Sequence, residues 1–214
     1  ILLQFNIIGE VDSSVPYTTT SVLDPNLTLV EGITSNGTTV AGVPSSNPGV
    51  SRFQAGYDLG GVPATLSDAI ANGNFLSFTI QADSGYQLEL NDGTISYTIA
   101  RPGNAGAVNA AVLTSIGGFS AGQEIDSYAL AQEGSPDYNA PIVTTDLPST
   151  GYDAVTAPFE VRIYFFGGSA SSSNIAYIRN LEVDGDLAVV PEPSQYAGLA
   201  GVMTLLFVAL RRRK

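Results

Sequence analysis

The chain has 214 residues, with twenty acidic side chains, eight basic ones, no histidine and no cysteine, for a formal net charge of −12. Up to residue 190 it carries nineteen acids against four arginines (Arg52, Arg101, Arg162 and Arg179) and no lysine, a balance of −15 that disfavours nucleic acid and anionic lipid as partners. Without His or Cys there can be no Ser-His-Asp relay, no disulfide and no zinc site built on those ligands.

Leu2 to Ile8 reads as a first strand. Asn26-Leu27-Thr28 and Asn36-Gly37-Thr38 fit the N-glycosylation sequon and are read here as chance matches in a Thr-rich stretch. Leu66 to Ala71 suits one helical turn, with Ser67 as its cap. Leu76, Phe78 and Ile80 alternate with Ser77, Thr79 and Gln81, the period-two pattern of a half-buried strand. Leu88 and Leu90, then Asn91-Asp92-Gly93, then Ile95, Tyr97 and Ile99 predict a hairpin with its tight turn at 91–93.

Phe159, Val161, Ile163 and Phe165 alternate with Glu160, Arg162 and Tyr164 and give the clearest strand in the chain. Tyr177 to Val183 reads as a late strand. Ile178 and Val183 are five positions apart, so both can face a core only across a β-bulge near Arg179 or Asn180. Gly-, Ser-, Asn-, Thr- and Pro-rich stretches separate these runs, as loops between strands do. The pattern predicts an all-β antiparallel sandwich or jelly roll over residues 1–188, with Phe78, Ile80, Leu88, Leu90, Ile95, Val161, Ile163 and Phe165 in its core.

Few residue constellations point to chemistry. Gly118-Phe119-Ser120-Ala121-Gly122 fits the G-x-S-x-G pattern, but with no histidine to activate Ser120 it reads as a turn. Asp83-Ser84-Gly85 also reads as a turn. Glu182, Asp184 and Asp186 around Gly185 offer oxygen ligands of the kind calcium takes, set against a plain solvated turn, which is the preferred reading. No metal and no cofactor are therefore expected. Paired carboxylates for glycoside cleavage are available among nineteen acids, but no pair is singled out by its context. Tyr17, Tyr57, Tyr128, Tyr138 and Tyr152 lie in polar contexts. Tyr138 and Tyr152, each beside an Asp, are the preferred candidates for stacking on a ligand such as a sugar, against the alternative of tyrosines that cover sandwich edges.

The last 24 residues are the most specific part of the sequence. Pro191-Glu192-Pro193-Ser194 precedes an uncharged run from Tyr196 to Leu210, which ends in Arg211, Arg212, Arg213 and Lys214. As a helix the run spans ~22 Å, against a hydrocarbon core of about 30 Å. Snorkelling and local thinning can close that gap, and the basic quartet belongs on the cytoplasmic side. This three-part tail resembles the PEP-CTERM sorting signal of exopolysaccharide-producing Gram-negative bacteria. The resemblance implies an exported protein, held at the inner membrane by residues 189–214 and processed by an exosortase-type transpeptidase. It also implies an export leader, placed before Ile1. An ordinary permanent anchor is the competing reading.

A second resemblance covers residues 69–194. Ala69-Ile70, Gly73-Asn74-Phe75-Leu76-Ser77-Phe78-Thr79, Gly85-Tyr86-Gln87-Leu88-Glu89-Leu90, Gly118-Phe119, Val161-Arg162-Ile163-Tyr164 and Ile178-Arg179-Asn180-Leu181-Glu182-Val183-Asp184-Gly185 follow one another as in many PEP-CTERM ectodomains. That domain is similar in turn to jelly-roll carbohydrate-binding modules, where an Asp before the Asn of the final strand helps hold a structural calcium. The matching position here is Arg179. The expectation is a β-sandwich followed by a single transmembrane-type helix at 196–210. The protein is expected at the inner membrane as an intermediate, then at the cell surface or outside the cell. It is expected to be non-enzymatic and structural or adhesive in an exopolysaccharide matrix, with the processing enzyme and that polysaccharide as partners. A carbohydrate-binding module with a defined glycan ligand is the alternative, and a glycan-active enzyme ranks third.

Overall fold

The structure is a computed structural model that describes residues 1–5, 16–36, 38–40, 53–57, 63–102, 108–130, 132–133, 142–168 and 176–190. In chain order the elements are β1 (Leu3–Phe5), β2 (Thr20–Leu23), β3 (Leu27–Asn36), β4 (Thr38–Val40), β5 (Phe53–Tyr57), α1 (Leu66–Asn72), β6 (Phe75–Ala82), β7 (Tyr86–Pro102), β8 (Asn109–Thr114), β9 (Asp126–Ala129), β10 (Gln132–Glu133), β11 (Ile142–Asp146), β12 (Phe159–Phe166) and β13 (Ala176–Val189). They form two sheets. One runs β3-β6-β12-β8-β9; the other runs β10-β7-β13-β1-β2, with β11 also on β7 and the β4–β5 pair joined to β13 through β5. Among the described residues all pairings are antiparallel except the short β10–β7 pair. The all-β sandwich read from the sequence is the fold observed.

Alternation explains the core. Phe159, Val161 and Ile163 of β12 stand opposite Ile80, Phe78 and Leu76 of β6, and all six turn inward. They meet Leu88, Leu90, Ile95 and Tyr97 of β7 and Leu181 and Val183 of β13 from the other sheet. The eight core residues expected from the sequence are each at most 1% exposed. Each such side chain contributes about 1.5–3 kcal/mol of transfer free energy.

Three local expectations need correction. Asn91-Asp92-Gly93 is not a hairpin turn, because β7 runs straight through it. β13 pairs Asp184 with Thr94 and then Asp186 with Glu89, so Gly185 alone faces the four residues Leu90 to Gly93. The polar groups of this wide bulge are taken up by the loop before β12. Tyr152 N donates to Asn91 Oδ1 at 2.8 Å, and Leu147 N donates to Gly93 O at 2.8 Å. Second, the helix is capped by Thr65, not Ser67. Asp68 N donates to Thr65 Oγ1, and the Asp68 carboxylate accepts from Thr65 N, so the two orphan donors are satisfied reciprocally. Third, β6 is not half-buried: Ser77 and Thr79 on its outer side are buried as well.

The outer face of the five-stranded sheet carries a second small core that the alternation did not announce. Ala69 of α1 packs with Phe75, Ala111, Leu113 and Tyr164, bordered by Leu66, Ile70, Phe119 and Phe166. In β13 the expected bulge lies at Asn180-Leu181, between the pairs Arg179–Thr98 and Glu182–Ser96, with Asn180 at φ 50°. Beyond it Leu181 and Val183, two apart, both face inward; the side chain of Ile178, whose spacing from Val183 raised the expectation, lies outside the described residues. Residues 6–8 of the first expected strand also lie outside them. No helix among the described residues is long and apolar enough to cross a membrane, and the expected span at 196–210 is outside the described residues.

Candidate functional site

The strongest sequence-level site, Pro191-Glu192-Pro193-Ser194 with Arg211, Arg212, Arg213 and Lys214, lies beyond the described residues, as does Tyr138. The sheet does reach the threshold of the motif. β13 ends at Val189, and Val190 N donates to Gly85 O at 2.8 Å. Sheet pairing therefore continues to Val190.

Tyr152 is not a surface platform. It is 4% exposed, packs edge-on against Phe159, and its hydroxyl shares a 2.6 Å hydrogen bond with the buried Thr114 hydroxyl. Its backbone holds the β7 bulge from both sides, donating to Asn91 and accepting from Leu90 N at 2.8 Å. The neighbouring Asp suggested exposure, but the ring fills the end of the sandwich core. Tyr17 is half-buried beside Phe5, the side chain of Tyr57 is outside the described residues, and Tyr128 points towards the core.

Tyr128 of β9 and Tyr97 of β7 hydrogen-bond hydroxyl to hydroxyl and so tie the two sheets together. Thr145, itself buried, donates to Asp126 Oδ2 at 3.0 Å beside them. Burial, above all, pushes both phenols above the ordinary value of 10.0; the hydrogen bonds between them act in opposite senses on the two rings. Below pH 10 the folded and unfolded chains both hold these protons, so the pair has no pH-dependent effect there. As pH rises past 10 the unfolded chain alone releases them, and stability falls. In an alkaline absorbance titration, at least two of the ten tyrosines should stay silent until the chain unfolds. Ionisation of all ten near pH 10 with the fold intact would contradict the arrangement.

The carboxylates considered for calcium lie on a strand, not on a turn. Glu182 Oε2 accepts from Gln4 Nε2 at 2.9 Å. Among the described residues no three acidic side chains converge as a metal site. Gly118 and Gly122 take positive φ in the loop carrying Ser120, and Gly85 does so after Asp83-Ser84, so both motifs form turns. Asp83 Oδ1 also accepts from Thr28 Oγ1 at 2.6 Å, which folds the first sequon into the same end of the sandwich.

One feature was not foreseen from the sequence. Arg162 lies between two aromatic rings, its Cζ 4.3 Å from the Phe75 centroid and 3.7 Å from that of Phe119. Its Nε and Nη2 donate to the two oxygens of Glu160 at 2.6 and 3.2 Å. A planar, bidentate cation suits this stack, which fastens the 115–119 loop to the outer sheet face. The guanidinium is thus committed within the fold and not offered to an anion.

No protein-family model matches this chain, and no curated protein matches it. Among solved structures it is similar to a family 35 carbohydrate binding module from an environmental isolate, at 13% identity and a TM-score of 0.43 over 78% of this chain and 98% of that one. At that level of likeness no property of the module transfers to this chain.

Proposed function

We propose that this chain is an exported protein with a jelly-roll-like ectodomain, held at the inner membrane by its C-terminal segment and then processed to the cell surface or extracellular matrix. There it has a structural or adhesive, non-catalytic part in an exopolysaccharide matrix. The observation that carries this reading is the ordered tail: Pro191-Glu192-Pro193, fifteen uncharged residues from Tyr196 to Leu210, and a cluster holding half of the chain's basic residues. The ectodomain is compatible with it. Every tyrosine whose side chain is described is buried or half-buried. The buried Tyr97, Tyr152 and Tyr164 present no phenol face for stacking on a sugar ring.

The test follows from the physics of the tail. A short apolar run makes only a marginal anchor, and the basic quartet stops transfer. Replacing Arg211, Arg212, Arg213 and Lys214 with neutral residues should weaken retention and give unprocessed, mislocalised protein. Replacing Glu192 and its flanking prolines should leave full-length protein in the inner membrane. The mass of the mature surface protein decides between processing and permanent anchoring. If it still includes Tyr196–Lys214, the ordinary-anchor reading holds and the sorting reading falls.

A further inference from the structure

The hydroxyl-bonded pair of Tyr97 and Tyr128 bridges the two sheets, and its ring centroids lie 6.3 Å apart with planes inclined at 43°. Phenols meeting end to end through their oxygens would stand further apart. The rings are therefore folded over the contact, which draws the carbons ortho to the oxygens together as well. The hydroxyl protons form a directed row. Thr145 gives its one proton to Asp126 Oδ2, so it can only accept from Tyr97, which in turn can only accept from Tyr128. Tyr97 and Thr145 are buried, whereas Tyr128 and Asp126, both on the edge strand β9, are half-buried. Both ends of the row reach the surface while its middle is sealed.

A phenol that gives up an electron together with its proton becomes a neutral radical, with spin density on the oxygen and the ortho carbons. Two such radicals held in contact couple through those carbons. The hydroxyl row supplies the proton's exit: as Tyr128 is oxidised its proton passes to Tyr97, that of Tyr97 to Thr145 and that of Thr145 to Asp126. No charge then rests on a buried ring, where it would be costly. We propose that Tyr97 and Tyr128 are an oxidative cross-linking site, closed into dityrosine by an outer-sphere one-electron oxidant. Two equivalents of oxidant each take one electron, and the two hydroxyl protons leave through Asp126 to water. A carbon–carbon bond forms between a Cε of each ring; the hydrogens on those carbons then move to the oxygens and restore both phenols. The chain loses two hydrogens and gains a bond from β7 to β9. Among the described residues β9 is held to its own sheet through β8, so the new bond fastens it from the other side, and it limits the unfolded chain as a disulfide does. This chemistry is independent of how the chain is sorted.

Photo-oxidation of the full-length protein tests this. The chain is kept in mild detergent, dilute enough to hold molecules apart, and irradiated with tris(bipyridine)ruthenium and persulfate, which generate a ruthenium(III) oxidant. The monomer should lose two hydrogens by intact mass and gain the blue fluorescence of dityrosine. Cleavage before aspartate leaves Tyr97 as the sole tyrosine of peptide 92–125 and Tyr128 as the sole tyrosine of peptide 126–136, so a link between these two peptides identifies the bond. Oxidation in denaturing urea, where the rings are apart, should lower the yield of that linked pair at least tenfold. Tyr97→Phe and Tyr128→Phe should each remove the monomer's dityrosine fluorescence, and the cross-linked wild type should unfold at a higher urea midpoint than the untreated chain. Peptides 92–125 and 126–136 that remain unlinked after the persulfate is consumed, or that link equally well in urea, overturn the proposal.

Discussion

Replacing Tyr152 with Ala should lower the unfolding free energy by about 3–5 kcal/mol, the range for truncating a large buried aromatic side chain. The ring packs on Phe159, and its removal also strands the Thr114 hydroxyl, which is fully buried and bonds Tyr152 at 2.6 Å. Tyr152→Phe isolates the second effect. It keeps the ring and leaves Thr114 without that partner, for about 1–3 kcal/mol. Denaturant unfolding of residues 1–190 reads both values from the shift in midpoint at constant slope. If Tyr152→Ala stays within about 0.5 kcal/mol of the parent, the level of an ordinary surface substitution, the side chain is not the core element described here. A surface role in ligand stacking would then return.

What the sequence made legible follows from the range of each signal. Period-two alternation in 76–80 and 159–165 is local, and the sandwich simply adds partners to those faces. The bulge at Asn180-Leu181 was legible for the same reason, since an odd spacing between apolar residues in one strand has few geometric solutions. The helix cap carried a readable signal that the Ser67 expectation missed: Thr65-Leu66-Ser67-Asp68 is a capping-box sequence, and only Thr65 stands three residues before an acid that can reach back.

The failures share a cause in long-range contacts. Asn91-Asp92-Gly93 carries strong turn chemistry, yet the loop at 147–152 supplies its hydrogen-bond partners and β13 spans it. Tyr152 sits in a loop by sequence and in the core by structure, because that loop crosses the end of the sandwich and hydrogen-bonds to β7 at both of its backbone groups. The outer clamp around Arg162 assembles from three distant segments, and nothing in any one of them specifies the other two.

Those long-range contacts make the glycines of the β7 bulge unequal, and the inequality can be measured. A Cβ added to Gly93 would lie 2.5 Å from Asp184 O, in the β7–β13 ladder, and 3.0 Å from Leu90 O, in the bulge that Tyr152 holds; both are backbone atoms. Neither can retreat without breaking register. A Cβ on Gly185 would meet Leu90 Cδ2 at 2.8 Å, the far end of a side chain, with Glu89 O next at 3.2 Å. Overpacking of this kind costs about 1–3 kcal/mol and sometimes more. Gly93→Ala should reach or pass the top of that range, and Gly185→Ala should stay near its lower half because Leu90 can change rotamer. Gly118 has open space around it and a φ of +86°, so Gly118→Ala reports backbone strain alone and serves as the reference. The expected order of destabilisation, from denaturant midpoints, is Gly93→Ala first and Gly185→Ala second. If Gly93→Ala costs no more than Gly118→Ala, β13 does not close over the Asn-Asp-Gly segment, and the hairpin read from the sequence is restored.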